Sequence, residues 1–176
     1  MKNREIIILI YVSFLAISTL LLIPSLSNYI DFYRAIEKCQ INLKSAELDV
    51  TQLQNGRVSL LAVFNISNPT NFKNLKVTSI TCNIQYSMQG SYRKLPGITR
   101  VFQKPIEIPS NGYTNINLNF TFEYRSEKQE VKDFFAFLLT NPKEISFIFQ
   151  GQYVFYAYAY PFTVPMGPFK YTVIFC

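Results

Sequence analysis

The feature that most constrains this chain is an uncharged apolar run close to its N-terminus. Residues 6–23, IIILIYVSFLAISTLLLI, contain no charged side chain over 18 residues. As a helix this run is about 27 Å long, nearly the thickness of the hydrocarbon core of a bilayer, and its continuation to Ile30 is more than enough to span that core. A cleaved signal peptide is the alternative, but its apolar region usually has about 7 to 15 residues. The length therefore favours an uncleaved transmembrane anchor over residues 1–30.

The charges on either side of this run predict its orientation. Lys2 and Arg4 precede it together with the α-amino group, against Glu5, whereas the charges that follow nearly balance. The positive-inside tendency then places the N-terminus in the cytoplasm and the C-terminal part outside. The net charge of +6 is scattered, with no stripe that would follow nucleic-acid phosphates. We expect a single-pass protein of the cell membrane, with the lipid bilayer as partner through residues 6–30 and no nucleic-acid partner.

Period-two alternation dominates the chain after a short juxtamembrane linker at residues 31–40. In residues 115–124, NINLNFTFEY, every even-numbered side chain is apolar or aromatic and every odd-numbered one is polar, which is typical of a strand with one buried face. Turn signals such as Leu95-Pro96-Gly97 and the stretch 161–168 separate further segments of this kind. These segments are residues 41–50, 57–68, 75–86, 98–108, 145–160 and 169–176. The sequence predicts a mainly β fold, a fibronectin- or immunoglobulin-like antiparallel β-sandwich of about seven strands that forms one domain over residues 41–176.

One segment has helical periodicity instead. Residues 126–129, SEKQ, match a capping box, and Asn141-Pro142 supplies a stop signal. Between them the apolar residues fall at helical spacing, namely Val131, Phe134, Phe135, Leu138 and Leu139. We expect one amphipathic helix of about four turns that packs on the sheets.

Few residues in this sequence suit catalysis or metal binding. The absence of histidine removes the commonest general base and metal ligand. Glu47 and Asp49 share a strand face, but calcium prefers six or more oxygens, so a solvated face is the favoured interpretation. Cys82 lies on the apolar phase of a strand, which predicts a buried free thiol, while Cys39 and Cys176 could pair in an oxidising compartment. Phosphate-binding loops, nucleophile elbows and Cys-x-x-Cys motifs are absent from the sequence. We therefore predict a protein that is not an enzyme and has no cofactor or metal.

Two sets of residues are candidates for surface roles. Tyr156, Tyr158 and Tyr160 belong to a strand with aromatic residues on both faces, and form a candidate contact surface for a partner or for lipid headgroups; cross-strand packing is the commoner use of such residues. Asn65 in Asn-Ile-Ser and Asn119 in Asn-Phe-Thr are candidate N-glycosylation acceptors if the domain is extracytoplasmic and the cell has an oligosaccharyltransferase. Asn119 lies on the polar phase of its strand, so its side chain should face solvent.

The stretch 63–70, VFNISNPT, predicts a structural corner. Proline has no N–H to donate to a β-ladder, so Pro69 ends the strand, and Asn68 before it is a turn former rather than a glycan acceptor. With the N-terminal anchor, the late strand 149–154, FQGQYV, and the segment 161–165, PFTVP, this corner resembles the late-embryogenesis-abundant group 2 domain, also called the water-stress and hypersensitive-response domain. The resemblance covers about residues 41–176.

This resemblance implies a seven-stranded fibronectin-like sandwich with one helix and with no catalytic residues. Members are soluble or tethered by one N-terminal helix, and are linked to desiccation or stress protection, to plant defence at the cell surface and to lipid binding. Our first hypothesis is a membrane-anchored protein that acts by surface contact, including contact with a membrane-protein or envelope partner. The second is a pilin-like or archaellum-associated filament component, which also places an apolar helix before a β-sandwich. An enzyme, the third, would require a pocket with converging acids.

Overall fold

A computed structural model of the chain describes residues 2–88, 90–140, 144–156 and 163–175. Within these ranges the chain forms two α-helices, a short 3-10 helix at Leu53–Asn55 and seven strands. The α-helices are α1 (Lys2–Lys38) and α2 (Gln129–Leu139). The strands are β1 (Gln40–Asp49), β2 (Arg57–Asn68), β3 (Leu75–Met88), β4 (Ser91–Ile108), β5 (Gly112–Glu123), β6 (Ile145–Tyr156) and β7 (Thr163–Phe175). The predicted mainly β fold, with a long apolar helix before it, is confirmed.

The strands form two antiparallel sheets that pack face to face. The described residues give a three-stranded sheet in the order β1-β2-β5 and a four-stranded sheet in the order β4-β3-β6-β7. On β5 the even-numbered apolar residues are buried and the odd-numbered polar ones are exposed, as the alternation predicted. On β2 the even-numbered side chains, from Val58 to Ile66, are at most 1% exposed. The inner faces of the two sheets therefore form one continuous apolar core.

Helix α2 covers the end of the sandwich that is remote from α1. Four residues of its predicted apolar stripe are buried, namely Val131, Phe134, Phe135 and Leu138. Leu139, predicted to belong to the same stripe, is 60% exposed, because it is the last residue of the helix and lies beyond the sheets. The ring of Phe134 lies 5.0 Å from that of Tyr86 on β3 and 5.6 Å from that of Phe122 on β5. The predicted capping box is not formed. The helix begins at Gln129, and the Ser126 hydroxyl accepts a bond from the nearby backbone N–H of Lys128 at 3.3 Å instead of capping the helix. The helix consequently has 11 residues, about one turn fewer than expected.

The predicted turn at Leu95-Pro96-Gly97 is wrong. Strand β4 runs without interruption from Ser91 to Ile108 and takes up these residues as a β-bulge against β3, where Cys82 pairs with Ile98 and Ile84 pairs with Leu95. Proline and glycine mark bulges as well as turns, because a bulge tolerates a missing donor and close backbone contact.

Two other boundaries differ from the sequence analysis. Residues 31–38, assigned to a juxtamembrane linker, are the last two turns of α1, which also includes Pro24. Strand β7 begins at Thr163, inside the stretch 161–168 that was predicted to be a turn. It carries Pro165 and Pro168 because it is an edge strand of its sheet, where a missing N–H costs little.

Candidate functional site

The corner between β2 and β3 is organised by one buried amide side chain. Among the described residues Asn68 is the only buried polar or charged one, with no exposed surface. Its Nδ2 donates to the carbonyl oxygen of Phe72 at 2.9 Å, and its Oδ1 accepts from the backbone N–H of Thr70 at 3.1 Å and from its hydroxyl at 2.7 Å. All three bonds stay within residues 68–72. Asn68 and Pro69, predicted as a turn motif, thus lie where the β-ladder ends. There the buried Asn68 side chain, rather than a neighbouring strand, forms the hydrogen bonds with the loop backbone.

Helix α1 docks directly on this corner. Phe32 and Ile36 of α1 are each 2% exposed, Ala35 is fully buried, and all three face the sandwich. The ring of Phe32 lies 5.7 Å from that of Phe72 in the β2–β3 loop. Since the helix is continuous, its last two turns belong to the core of the β-domain.

Two tyrosines fix the start of β1, just after α1. The Tyr153 hydroxyl of β6 donates to the carbonyl oxygen of Cys39 at 3.5 Å, and the Tyr171 hydroxyl of β7 donates to that of Ile41. Burial raises the pKa of the Cys39 thiol to about 12. Cys176, which the sequence suggested as a disulfide partner for this thiol, lies outside the described residues.

Cys82 is a fully buried free thiol, as predicted. Burial raises its pKa to about 12 as well. A thiol with so high a pKa is protonated at neutral pH and is therefore a poor nucleophile or metal ligand.

The two candidate glycan acceptors lie on the outer face of the three-stranded sheet. Asn119 of β5 is exposed, which agrees with its polar phase. Asn65 of β2 is half-buried and donates from Nδ2 to Oδ1 of Asn115 at 3.1 Å. Because Asn119 pairs with Leu61, the two acceptors are four positions apart along neighbouring strands of one face.

The candidate contact surface is only partly described. Tyr156 is 40% exposed at the end of β6. Tyr158 and Tyr160 lie outside the described residues.

The carboxylates of the domain do not converge. Glu47 and Asp49 are exposed, and Asp49 accepts bonds from the N–H and hydroxyl of Thr51, which lower its pKa. A cleft of about 500 Å³ opens beside β4 and β5, and its lining offers one carboxylate, Glu123, beside Arg125 and Lys128. Within the described part of the chain, no group of three or more cysteine or acidic side chains is placed to hold a metal ion.

Sequence reasoning missed the docking of α1 on the domain. The signal was present as Phe32, Ala35 and Ile36, whose spacing of i, i+3 and i+4 forms a short apolar stripe after the apolar run of residues 6–23. These residues were grouped with the charged juxtamembrane segment, in which the stripe is short. The structure brings them together with Asn68 and Phe72 at one end of the sandwich.

Comparison with known proteins gives distant structural likeness alone. No family model and no curated protein matches the chain. Among solved structures, a protein from Archaeoglobus fulgidus shares 11% identity and a TM-score of 0.47 over 76% of this chain and 96% of its own. A solution structure provisionally described as a late embryogenesis abundant (LEA) protein shares 13% identity and a TM-score of 0.46 over 91% of this chain and 84% of its own. A protein from Arabidopsis thaliana shares 16% identity and a TM-score of 0.40 over 76% of each chain.

Proposed function

We propose that this chain is a non-enzymatic, single-pass membrane protein whose extracytoplasmic β-sandwich acts by surface contact, as a membrane-anchored protein of the late-embryogenesis-abundant group 2 type. The observation that carries the proposal is the continuity of α1. One unbroken helix begins with a long exposed apolar segment and ends inside the core of the sandwich. Surface contact here means stress protection, contact with lipid, or the holding of a membrane-protein or envelope partner.

The exposed part of α1 suits lipid better than water. Within Arg4–Lys38 its most apolar window has a mean hydropathy of 2.8, and none of that window is buried against the rest of the chain. Large side chains from Ile6 to Ile30 are exposed all around the helix, at 42% or more of their surface. A helix that is apolar on every side is stable when lipid surrounds it.

The docked end of α1 supports a role in positioning. Phe32 and Ile36 are buried in the core, so the connection between α1 and the β-sandwich is not a flexible linker. A continuous helix instead fixes the height and the direction in which the sandwich faces the membrane. Such rigidity is useful for a protein that must present one surface to lipid or to a neighbour in the membrane, for which Tyr156, Tyr158 and Tyr160 remain our candidates.

The chemistry of the domain supports a role without catalysis. The chain has no histidine, and the Cys39 and Cys82 thiols have a raised pKa of about 12 and are buried. General acid–base and nucleophilic catalysis both require groups that exchange protons near neutral pH. The linings of four clefts in the described part of the chain contain neither histidine nor cysteine.

The test combines membrane extraction with glycan mapping of the full chain, expressed in a host that has an oligosaccharyltransferase. We expect the protein to stay in the membrane pellet after alkaline carbonate extraction. If the sandwich is extracytoplasmic, Asn119→Gln and Asn65→Gln should each remove one glycan-sized shift that glycosidase treatment also removes. Release by carbonate would refute the anchor, and a chain without glycan that proteases cleave only from the cytoplasmic side would refute the orientation.

The docking of the helix has its own control. Phe32→Ala combined with Ile36→Ala should open residues 31–39 to limited proteolysis, because both side chains lie in the core. Glu37→Ala, on the exposed side of the same turns, should leave the cleavage rate unchanged. Equal cleavage of both variants would contradict a rigid connection between anchor and domain.

A filament or envelope component is the second candidate. The observation that favours it is the same continuous helix, since filament subunits pack exposed apolar helices against each other. The mass of the intact native protein separates the two, because a processed filament subunit would begin at Glu5 or Ile6. A chain that retains Met1 or Lys2 would favour the anchor.

A further inference from the structure

A polar cleft lies where α1 meets the β2–β3 corner. Its volume is about 540 Å³. One wall consists of residues from the end of α1 and the other of residues from the loop after Pro69. The uncharged polar residues of its lining are Asn28, Thr70, Asn71 and Asn74.

The charge of this cleft is predominantly positive. Arg34 and Lys38 come from the helix and Lys73 from the loop, and Asp31 is the one carboxylate in the lining. Asp31 lies 3.7 Å from a guanidinium nitrogen of Arg34 and both side chains are more than half exposed, so solvent screens this ion pair. Two positive charges therefore remain without a partner in the lining, beside four amide and hydroxyl side chains that can bind oxygen.

The position of the cleft along α1 matches the headgroup layer of a bilayer. If residues 11–30, the last 20 residues of the apolar segment, fill the hydrocarbon core, the backbone of Arg34 lies about 6 Å beyond it, within a headgroup layer about 5–8 Å thick. Lys38 lies about 12 Å beyond the core, but side chains on a helix tilt toward its N-terminus, and long basic side chains extend back toward the membrane surface by about half that distance. The basic side chains that α1 contributes to the cleft are thus within reach of lipid phosphates.

The walls of the cleft are held in place by buried contacts. Asn68 fixes the loop backbone between Thr70 and Phe72, and the Phe32 and Phe72 rings join the loop to the helix. Asn111 adds a second support, since its N–H donates to the carbonyl oxygen of Thr70 at 2.9 Å. The basic residues are therefore placed around a preformed space and need little ordering when an anion binds.

From this geometry we infer that the cleft binds the phosphate of an anionic phospholipid headgroup, with Arg34, Lys38 and Lys73 as its ligands. Arginine suits a planar two-oxygen contact with phosphate, and lysine supplies compact charge. The inference rests on the proposed membrane anchor, and it adds a lipid class and a site to it.

Native mass spectrometry of the full chain in mild detergent tests this site. The probes are phosphatidylglycerol, phosphatidylcholine and inorganic phosphate, each added at the same concentration. We expect the wild type to retain one phosphatidylglycerol with a preference of about tenfold over phosphatidylcholine, because two net positive charges face it. Asp31→Asn should increase that preference, since it removes the opposing charge.

Matched variants separate the cleft from overall charge. Arg34→Gln, Lys38→Gln and Lys73→Gln together should abolish the preference, whereas their replacement by Lys, Arg and Arg should preserve it. The control changes the same number of charges elsewhere, at the exposed residues Lys44, Lys94 and Lys132, and should preserve it as well. All of these side chains are exposed, so circular dichroism should show folded protein in every case.

Three outcomes would overturn the inference. They are a wild type with no preference between the two lipids, an equal loss in the cleft and control variants, and phosphate adducts in place of lipid adducts, which would indicate a site for free phosphate. None of them touches the anchor itself. Carbonate extraction of the same wild-type protein reports on the anchor separately.

Discussion

The buried amide of Asn68 gives the sharpest quantitative prediction. Asn68→Ala removes a side chain that makes three hydrogen bonds with no exposure to water. It leaves the carbonyl oxygen of Phe72 and the N–H of Thr70 without those bonds, at the loop that contacts α1.

The expected loss follows from counting these bonds. A hydrogen bond in a folded protein contributes about 1 kcal/mol net, so three bonds correspond to about 3 kcal/mol of unfolding free energy. For a chain of this size that corresponds to a fall in Tm of roughly 6–12 °C. The neighbouring Asn71 serves as control, because it is exposed and its Oδ1 accepts a bond only from the exposed Asn111 side chain among the interactions described. We expect Asn71→Ala to change stability by about 0.5 kcal/mol or less.

Thermal unfolding of the full chain in detergent, followed by circular dichroism in the β-sheet region, measures both variants. A Tm for Asn68→Ala within about 2 °C of that of Asn71→Ala would refute the reasoning, because the two side chains would then contribute alike. It would mean that Pro69 and the Phe32–Phe72 contact, rather than the hydrogen bonds of Asn68, keep the loop ordered.

Asn68→Asp adds a pH-dependent test of the same site. A carboxylate at this position can accept the bonds from Thr70 but faces the carbonyl oxygen of Phe72, to which only the protonated form can donate. Burial and this repulsion should raise the pKa of the new carboxyl above its unfolded value of about 3.9. Its stability relative to wild type should therefore be highest below about pH 4 and fall as the pH rises above that value. A flat difference between pH 3 and pH 7 would contradict a buried amide site.

Two other predictions concern the core. Gly151→Ala should prevent normal pairing of β6 with β3, because a Cβ there would overlap the carbonyl oxygen of Thr81; a Tm equal to that of wild type would show that the strands can separate at little cost. Burial raises the pKa of the Cys39 and Cys82 thiols to about 12 in the folded protein. Between pH 9 and pH 12 these thiols therefore ionise in the unfolded chain before they ionise in the folded one. Their contribution to the free energy of unfolding is complete below pH 9 and falls as the pH rises from 9 to 12. The free energy of unfolding should fall by roughly 1 kcal/mol per pH unit for each thiol. Urea titrations above pH 9 should therefore show that it falls less steeply with pH in the double variant Cys39→Ala/Cys82→Ala than in wild type. Equal slopes would mean that the thiols are open to solvent.

The fold was predictable wherever a local pattern carries the information. Alternation on β5 and β2 gave the buried faces correctly, because each strand has one wet and one dry side. Helical spacing predicted the buried face of α2 correctly, except at its last residue, Leu139. These patterns depend on how side chains alternate along a strand or a helix and on which face is exposed to water. Both can be read from residues that are close together in the sequence.

The errors and omissions occur where contacts with residues that are distant in the sequence determine the local structure. Pro96 and Gly97 have the same local preferences in a turn and in a bulge, and the bulge is selected because β3 continues past them. The helix continues past residue 30 because Phe32 and Ile36 find a surface on the sandwich. The cleft beside Arg34 and Lys73 combines residues that are far apart in the sequence, so neither segment alone indicates it.

The contacts that fix the start of β1 also set an order of events during synthesis. Tyr153 reaches the carbonyl oxygen of Cys39 across 114 residues, and Tyr171 reaches that of Ile41 across 130. Such distant contacts form slowly, and these cannot form before nearly the whole chain has left the ribosome. If α1 inserts into the bilayer as soon as it is synthesised, Phe32 and Ile36 are outside the membrane before their packing partners exist, because α1 precedes every strand. The nascent protein would then pass through a stage in which α1 is inserted and the apolar side chains of its last two turns are exposed to water, until β7 pairs with β6.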